Sequence, residues 1–151
     1  MKKILLLFAI FVLLAVSAFF LGSKPAQSPD RPTNEEVVWE MEDKTDFIRN
    51  INIAPGEFIK SPLVITGEAR GLWYFEASFP ITLVNWEGLP IAQGIATAQG
   101  EWMTTDFVPF EATIQFAKPD FGERGTLILQ KDNPSGLPEN DDSLAIPIRF
   151  K

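Results

Sequence analysis

The segment Gly67–Glu76 brings together two carboxylates, one arginine and three consecutive aromatic residues. Aromatic rings beside charged groups are typical of sites that bind a sugar or a peptide, because rings supply contact area at low entropic cost. We therefore treat Arg70, Trp73, Tyr74 and Glu76 as candidate ligand-binding residues, with Trp73 or Tyr74 on the binding surface. The alternative is that Trp73 and Phe75 face the core and Arg70 pairs with a nearby carboxylate.

A second candidate segment, Glu101–Asp106, sets Trp102 beside two carboxylates just before a predicted strand. This arrangement predicts that Trp102 lines a groove, and we add it to the candidate ligand-binding residues. The alternative is a core tryptophan followed by a solvated loop.

Acidic residues raise two further possibilities, a metal site and a hydrolytic site. The loop from Asp132 to Asp142 is rich in the oxygen ligands that Ca²⁺ prefers, but its spacing matches no EF-hand and two prolines constrain it. For these two reasons we predict no metal site. Nothing in the sequence pairs carboxylates for glycoside hydrolysis, so we also predict no catalytic residues. The plausible members of such a pair are Glu68, Glu76, Glu101 and Asp106.

The absence of cysteine and histidine narrows the chemistry further. It excludes cysteine nucleophiles, disulfides, thiolate and histidine metal sites, and the Ser-His-Asp triad. No P-loop, GxGxxG or GxSxG motif is present, and no cofactor is predicted. Lys and Arg total 13 against 20 Asp and Glu, a net charge of −7, which disfavours nucleic-acid partners.

Residues 1–22 form a predicted membrane segment. The run Ile4–Leu21 is apolar except for Ser17 and would span about 27 Å as a helix, close to the thickness of a bilayer core. Lys2 and Lys3 precede it, which favours an extracytoplasmic C-terminal part. Two alternatives stay open: an uncleaved anchor, which gives a single-pass cell-membrane protein, and a cleaved signal peptide, which gives a secreted one.

Residues 23–46 form a predicted linker that is first rich in proline and then acidic. Pro25, Pro29 and Pro32 are spaced through polar residues, a pattern typical of an extended, solvated spacer. We expect this linker to hold a domain away from the membrane.

Residues 47–151 form a predicted all-β domain, because nine prolines and nine glycines leave no room for a long helix. Apolar residues alternate with period two over Phe107–Phe116 and Ser143–Lys151, and Pro147 predicts an edge strand or a bulge. About seven short strands separated by turns predict an immunoglobulin-like β-sandwich. The other predicted strands are Ile51–Ile53, Ile59–Ala69 with a break near Ser61-Pro62, Ile81–Trp86, Ile91–Ala98 and Thr126–Gln130.

The start of the domain contains Ile53-x-Pro55-Gly56 followed by Ile59-Lys60-Ser61-Pro62-Leu63-Val64-Ile65-Thr66-Gly67-Glu68-Ala69. This is the most specific part of a resemblance to Gmad2, the immunoglobulin-like domain of bacterial spore germination. The similarity continues through Trp73–Phe79, Gly100-Glu101-Trp102 and Pro109-Phe110 to Ile146-Pro147-Ile148. The resemblance implies an immunoglobulin-like fold, an extracytoplasmic position and a binding or structural role, and it carries over no catalytic residue.

These observations predict a non-enzymatic, membrane-tethered, extracytoplasmic module that binds or scaffolds cell-envelope proteins or cell-wall polymer. Its partners would be such a protein or glycan, and the membrane through the N-terminal helix. One alternative is a purely structural subunit of an envelope complex. Another is a carbohydrate-acting enzyme that uses paired carboxylates. The sequence leaves the oligomeric state open.

Overall fold

The computed structural model describes residues 42–151, and this range is all-β, as predicted, with no α-helix. Two short 3-10 turns, Gly71–Trp73 and Pro138–Asn140, are its only helical segments, so the described range contains no helix that could cross a membrane. The predicted membrane segment and most of the predicted linker lie outside it. The strands are β1 (Ile48–Arg49), β2 (Glu57–Ile59), β3 (Leu63–Arg70), β4 (Ser78–Asn85), β5 (Pro90–Ala98), β6 (Phe107–Ile114), β7 (Arg124–Gln130) and β8 (Ser143–Phe150).

The eight strands form one curled sheet in the order β1-β3-β6-β5-β4-β7-β8-β2. All neighbours are antiparallel except β2 and β8, which run parallel. The prediction of about seven strands in a sandwich therefore holds in its coarser, sandwich-like form. The two halves of the sheet stay hydrogen-bonded because β5 and β6 pair over Thr97 with Glu111 and Ala98 with Phe110.

Alternating apolar side chains build the core on the inner face of the sheet. In β6 and β8 every second residue is buried and the residues between them are half-buried or exposed, as the period-two pattern predicts. Phe79 lies at the centre of an aromatic cluster, with ring centroids 5.0 Å from Phe110, 5.3 Å from Tyr74 and 6.5 Å from Trp73. Edge-on and tilted ring pairs of this kind add to the free energy of burial.

One predicted strand differs from those observed, for a local reason. Ile51–Ile53 is not a strand. One backbone hydrogen bond, from the Asn52 N–H to the Thr66 carbonyl over 3.0 Å, links it to β3, and the other hydrogen bonds to β3 are made by the Asn52 side chain. Its amide donates to the carbonyl of Val64 over 3.0 Å, and its side-chain oxygen accepts the Thr66 N–H over 2.9 Å. The prediction of a break near Ser61-Pro62 is correct, since β2 and β3 are separate strands there.

Pro147 marks the point where β8 gains its second neighbour. The strand pairs along its length with β7, whereas β2 pairs only with Ile148–Phe150. Just before that, the Pro147 carbonyl accepts the Gly56 N–H over 2.7 Å. Among the described residues, β8 is therefore an edge over its first half, including Pro147, and the prediction of an edge strand does not hold for Ile148–Phe150.

Connections collect at the two ends of the sheet. One end, called the groove end below, holds the connections 71–77, 99–106 and 131–142. The opposite end, called the hairpin end, holds the β4–β5 turn, the connection 115–123 and the last residue of β8. The three segments that the sequence singled out therefore meet at one end of the fold.

Candidate functional site

An open groove of about 700 Å³ lies between the three connections of the groove end. It is the candidate functional site, because each of the three sequence segments contributes to its wall. Its lining is Gly71, Leu72, Tyr74, Phe75, Trp102, Met103, Thr104, Thr105, Lys131, Asp132, Asn133, Pro134, Ser135 and Asn140.

Backbone hydrogen bonds fix the three connections to one another. The N–H of Gly71 donates to the Asp106 carbonyl over 3.2 Å, and the N–H of Asp132 donates to the Trp73 carbonyl over 3.0 Å. The approach at Gly71 needs a glycine, because a Cβ there would lie 1.9 Å from the Thr104 carbonyl oxygen. Contacts within the fold therefore hold the three walls of the groove in place.

Arg70 lies outside the groove wall and stabilises the connection 99–106 that forms part of it. Its Nε donates to the Asp46 carbonyl over 2.9 Å and its Nη1 to the Thr105 carbonyl over 3.0 Å. Its guanidinium carbon also lies 4.2 Å from the Phe107 ring centroid, and that of Arg49 lies 3.7 Å from the same centroid. Such cation–π contacts stabilise the packing of the first strand against the sheet. In these hydrogen bonds Arg70 donates to carbonyl oxygens, not to the carboxylate considered as an alternative.

Trp73 and Tyr74 are both core residues. The ligand-platform prediction required an exposed ring, and it is wrong on that point because both side chains are buried. The Tyr74 hydroxyl donates to the Val108 carbonyl over 2.7 Å, and burial raises the pKa of Tyr74 to about 12. Only part of Tyr74 reaches the groove wall.

Trp102 is half-buried and lines the groove, as predicted from its segment. Glu76 is exposed in a left-handed turn with φ of 49° and lies outside the lining. The structure therefore brings Tyr74 and Trp102 together at the groove and leaves Arg70, Trp73 and Glu76 out of its wall.

Three apolar residues of the groove lining that were not among the predicted site residues are exposed to solvent. Leu72 is 72% exposed, Met103 is 75% exposed, and Phe75 is also exposed, so the alternative that places Phe75 in the core is wrong for this residue. Each lies within two residues of a predicted site residue, in a short connection where no periodicity tells an inward from an outward side chain. In the sequence, only their position next to the predicted site residues indicates that these three residues could belong to the site.

The acidic connection folds around Asn133. Its Nδ2 donates to the Leu137 carbonyl over 2.8 Å and to Asp141 over 2.7 Å, and its carbonyl accepts the Gly136 N–H over 3.2 Å. Asp142 pairs with Lys44 over 2.7 Å, which raises the pKa of Lys44. Within residues 42–151 no three acidic side chains are arranged to hold a metal ion.

Two of the four carboxylates considered for hydrolysis, Glu68 and Glu101, accept hydrogen bonds within the fold. Glu68 accepts hydrogen bonds from Arg49 Nε and Asn50 Nδ2, each over 2.9 Å. Glu101 accepts the Met103 N–H over 3.2 Å and shapes the turn that presents Met103.

Comparison with known families identifies the domain. The family described as Gmad2, the immunoglobulin-like domain of bacterial spore germination, matches residues 52–136, more than half of the chain. The chain belongs to the Gmad2 family. The resemblance seen in the sequence is thereby confirmed, and with it the immunoglobulin-like class of the fold. Comparisons with curated proteins and with solved structures found no significant match.

The Gmad2 match ends at residue 136, before β8. Strand β8 nevertheless pairs with β7 from Ser143 to Arg149 and buries Leu144 and Ile146 in the same core. The Gmad2 fold of this chain therefore extends beyond the matched range to Phe150.

Proposed function

We propose that this Gmad2 domain is a non-enzymatic, extracytoplasmic module, tethered to the membrane by residues 1–22, that binds a protein of the cell envelope in the groove. The observation that carries the proposal is the trio Leu72, Phe75 and Met103. Apolar side chains exposed together beside a groove, with polar residues around them, are typical of protein-binding surfaces.

The charge of the groove end supports a partner segment that is basic as well as apolar. Lys44, Arg70 and Lys131 lie at this end, but acidic side chains outnumber them. A cationic segment would be attracted to this surface, and an anionic polymer would be repelled. The acidic side chains are Asp46, Glu76, Glu101, Asp106, Asp132, Glu139, Asp141 and Asp142.

A neutral glycan is a weaker fit to the same surface. Sugars stack on exposed aromatic faces, whereas the rings of Trp73 and Tyr74 are buried and Trp102 is half-buried, which leaves Phe75 as the one exposed aromatic residue of the lining. A peptide can instead place apolar side chains against Leu72 and Met103 and basic ones toward the surrounding carboxylates.

A retention experiment tests the proposal. The full chain, immobilised in detergent, is incubated with solubilised envelope proteins and separately with cell-wall sacculi. We expect a protein that is retained at low salt and released at high salt, and no retention on sacculi. Met103→Ser should abolish retention, and Ile95→Ser, at an exposed residue on β5 outside the groove, should preserve it.

Two results would contradict the proposal. Retention on sacculi that Met103→Ser removes would make the groove a wall-binding site. Equal protein retention by the Met103→Ser and Ile95→Ser variants would remove the groove from the binding surface.

A further inference from the structure

The hairpin end carries a second set of exposed apolar side chains, at the far end of the sheet from the groove. Trp86 and Leu89, each 58% exposed, flank the β4–β5 turn, and Phe121, 81% exposed, lies in the neighbouring connection 115–123. None of the three lines the groove.

These side chains are held in place by their own loops. The Asn85 side chain accepts the N–H groups of Glu87 over 3.0 Å and Leu89 over 2.9 Å, which fixes the turn. The indole of Trp86 rests on Gly122 of the other loop, where a Cβ would lie 2.3 Å from its Cδ1. Gly122 also has a φ of +78°, which favours glycine. The contact with Trp86 therefore requires a glycine both for space and for backbone conformation.

We propose that the hairpin end docks onto the lipid bilayer, with Trp86, Leu89 and Phe121 inserted at the level of the headgroups. Tryptophan, phenylalanine and leucine are the side chains that interfacial proteins place at this depth. Side chains of this size at these exposures present roughly 400 Å², about half of the 800 Å² that one partner buries in a standard protein interface. The patch is therefore small for a stable protein dimer and sufficient for shallow insertion.

The distribution of charge also favours an orientation with the hairpin end toward the bilayer. The acidic side chains of the hairpin end are Glu87, Asp120 and Glu123, and they are balanced by Lys60, Lys118, Arg124 and Lys151. The groove end is predominantly acidic. An anionic membrane therefore repels the groove end and accepts the hairpin end, so the groove faces away from the bilayer.

The proposal rests on the proposed membrane tether, whose length is compatible with it. The described chain begins at Glu42, beside Lys44 and the groove end. Residues 22–41 reach at most about 65 Å when extended, and β7 is about 25 Å long. The linker can therefore return past the domain to the same bilayer.

Lipid quenching of tryptophan tests the docking. The full chain is reconstituted into vesicles of equal parts phosphatidylcholine and phosphatidylglycerol, with the phosphatidylcholine acyl chains brominated or not. We expect brominated lipid to quench the protein, and Trp86→Phe to remove that component. Trp102→Phe, at the groove end, should leave it unchanged. Phe121→Ser keeps Trp86 but weakens insertion, so its quenching should fall.

The outcomes separate the docking from the tether. A chain that floats with the vesicles but shows the same quenching with and without Trp86 overturns the docking and leaves the tether standing. A chain that does not float overturns both. Trp86 emission that responds to protein density in the membrane, and not to bromine, would assign the patch to a second copy of the chain and overturn the proposal.

Discussion

Replacing Tyr74 with phenylalanine tests the account of the core beneath the groove. Tyr74 is the single tyrosine of the chain, and its buried hydroxyl donates to the Val108 carbonyl over 2.7 Å. The variant keeps the ring but leaves that carbonyl without this donor. We expect the free energy of unfolding to fall by about 1–2 kcal/mol at neutral pH. The melting temperature should fall by about 4–8 °C for each kcal/mol.

The same residue predicts a pH dependence with a definite sign. Burial raises the pKa of Tyr74 from its ordinary 10.0 to about 12, so the unfolded chain loses this proton at lower pH than the folded one. The wild type should therefore lose stability between pH 10 and about 12, by up to about 3 kcal/mol. The Tyr74→Phe variant lacks this loss, so its deficit relative to the wild type should shrink above pH 10.

Two measurements check this prediction. Urea unfolding of both proteins at neutral and alkaline pH gives the stability difference, and the variant corrects for lysine titration in the same range. Tyrosinate absorbance of the folded wild type reports Tyr74 alone. A midpoint near 10 in the folded state, or a stability difference that does not change with pH, would refute the reasoning.

The other substitutions follow from close contacts. Gly71→Ala forces a Cβ against facing backbone and should cost about 1–3 kcal/mol. Gly100→Ala, whose Cβ would make an ordinary contact with Val108 Cγ1 at 3.9 Å, should be tolerated in the same thermal-melt series. Phe107→Leu removes the ring that two guanidiniums contact; hydrogen exchange should show β1 opening first, and unchanged β1 protection would contradict this. Gly122→Ala should displace Trp86 and red-shift its fluorescence, and an unchanged spectrum would mean that the two do not touch.

Strand periodicity predicted most of the fold, because long strands with one buried face have a strong pattern. Phe107–Phe116 and Ser143–Lys151 correspond to β6 and β8 within two residues at each end. Strand periodicity failed at Ile51–Ile53, where the Asn52 side chain makes hydrogen bonds that a strand would make through its backbone. The observed strand in this region is Ile48–Arg49. A side chain that competes with backbone pairing leaves no trace in the apolar pattern.

The site was predicted as a region but not residue by residue. The chosen segments do meet at one groove, yet Trp73 and Tyr74 lie in the core because β3 ends at Arg70 and a short 3-10 turn directs both rings inward. Leu72 and Met103 point outward from the same connections. The direction of a side chain in so short a connection depends on long-range contacts, such as the bond from Gly71 to Asp106, which the sequence does not encode locally.

Photo-cross-linking tests the central claim most directly. A photoreactive amino acid is placed at Met103 in the full chain in its native envelope, and at Ile95 on β5 as the matched control. The account predicts a discrete adduct with one envelope protein from Met103 and not from Ile95, mapping to a basic and apolar segment of that protein. The same adducts from both positions, or adducts to glycan from Met103, would contradict it.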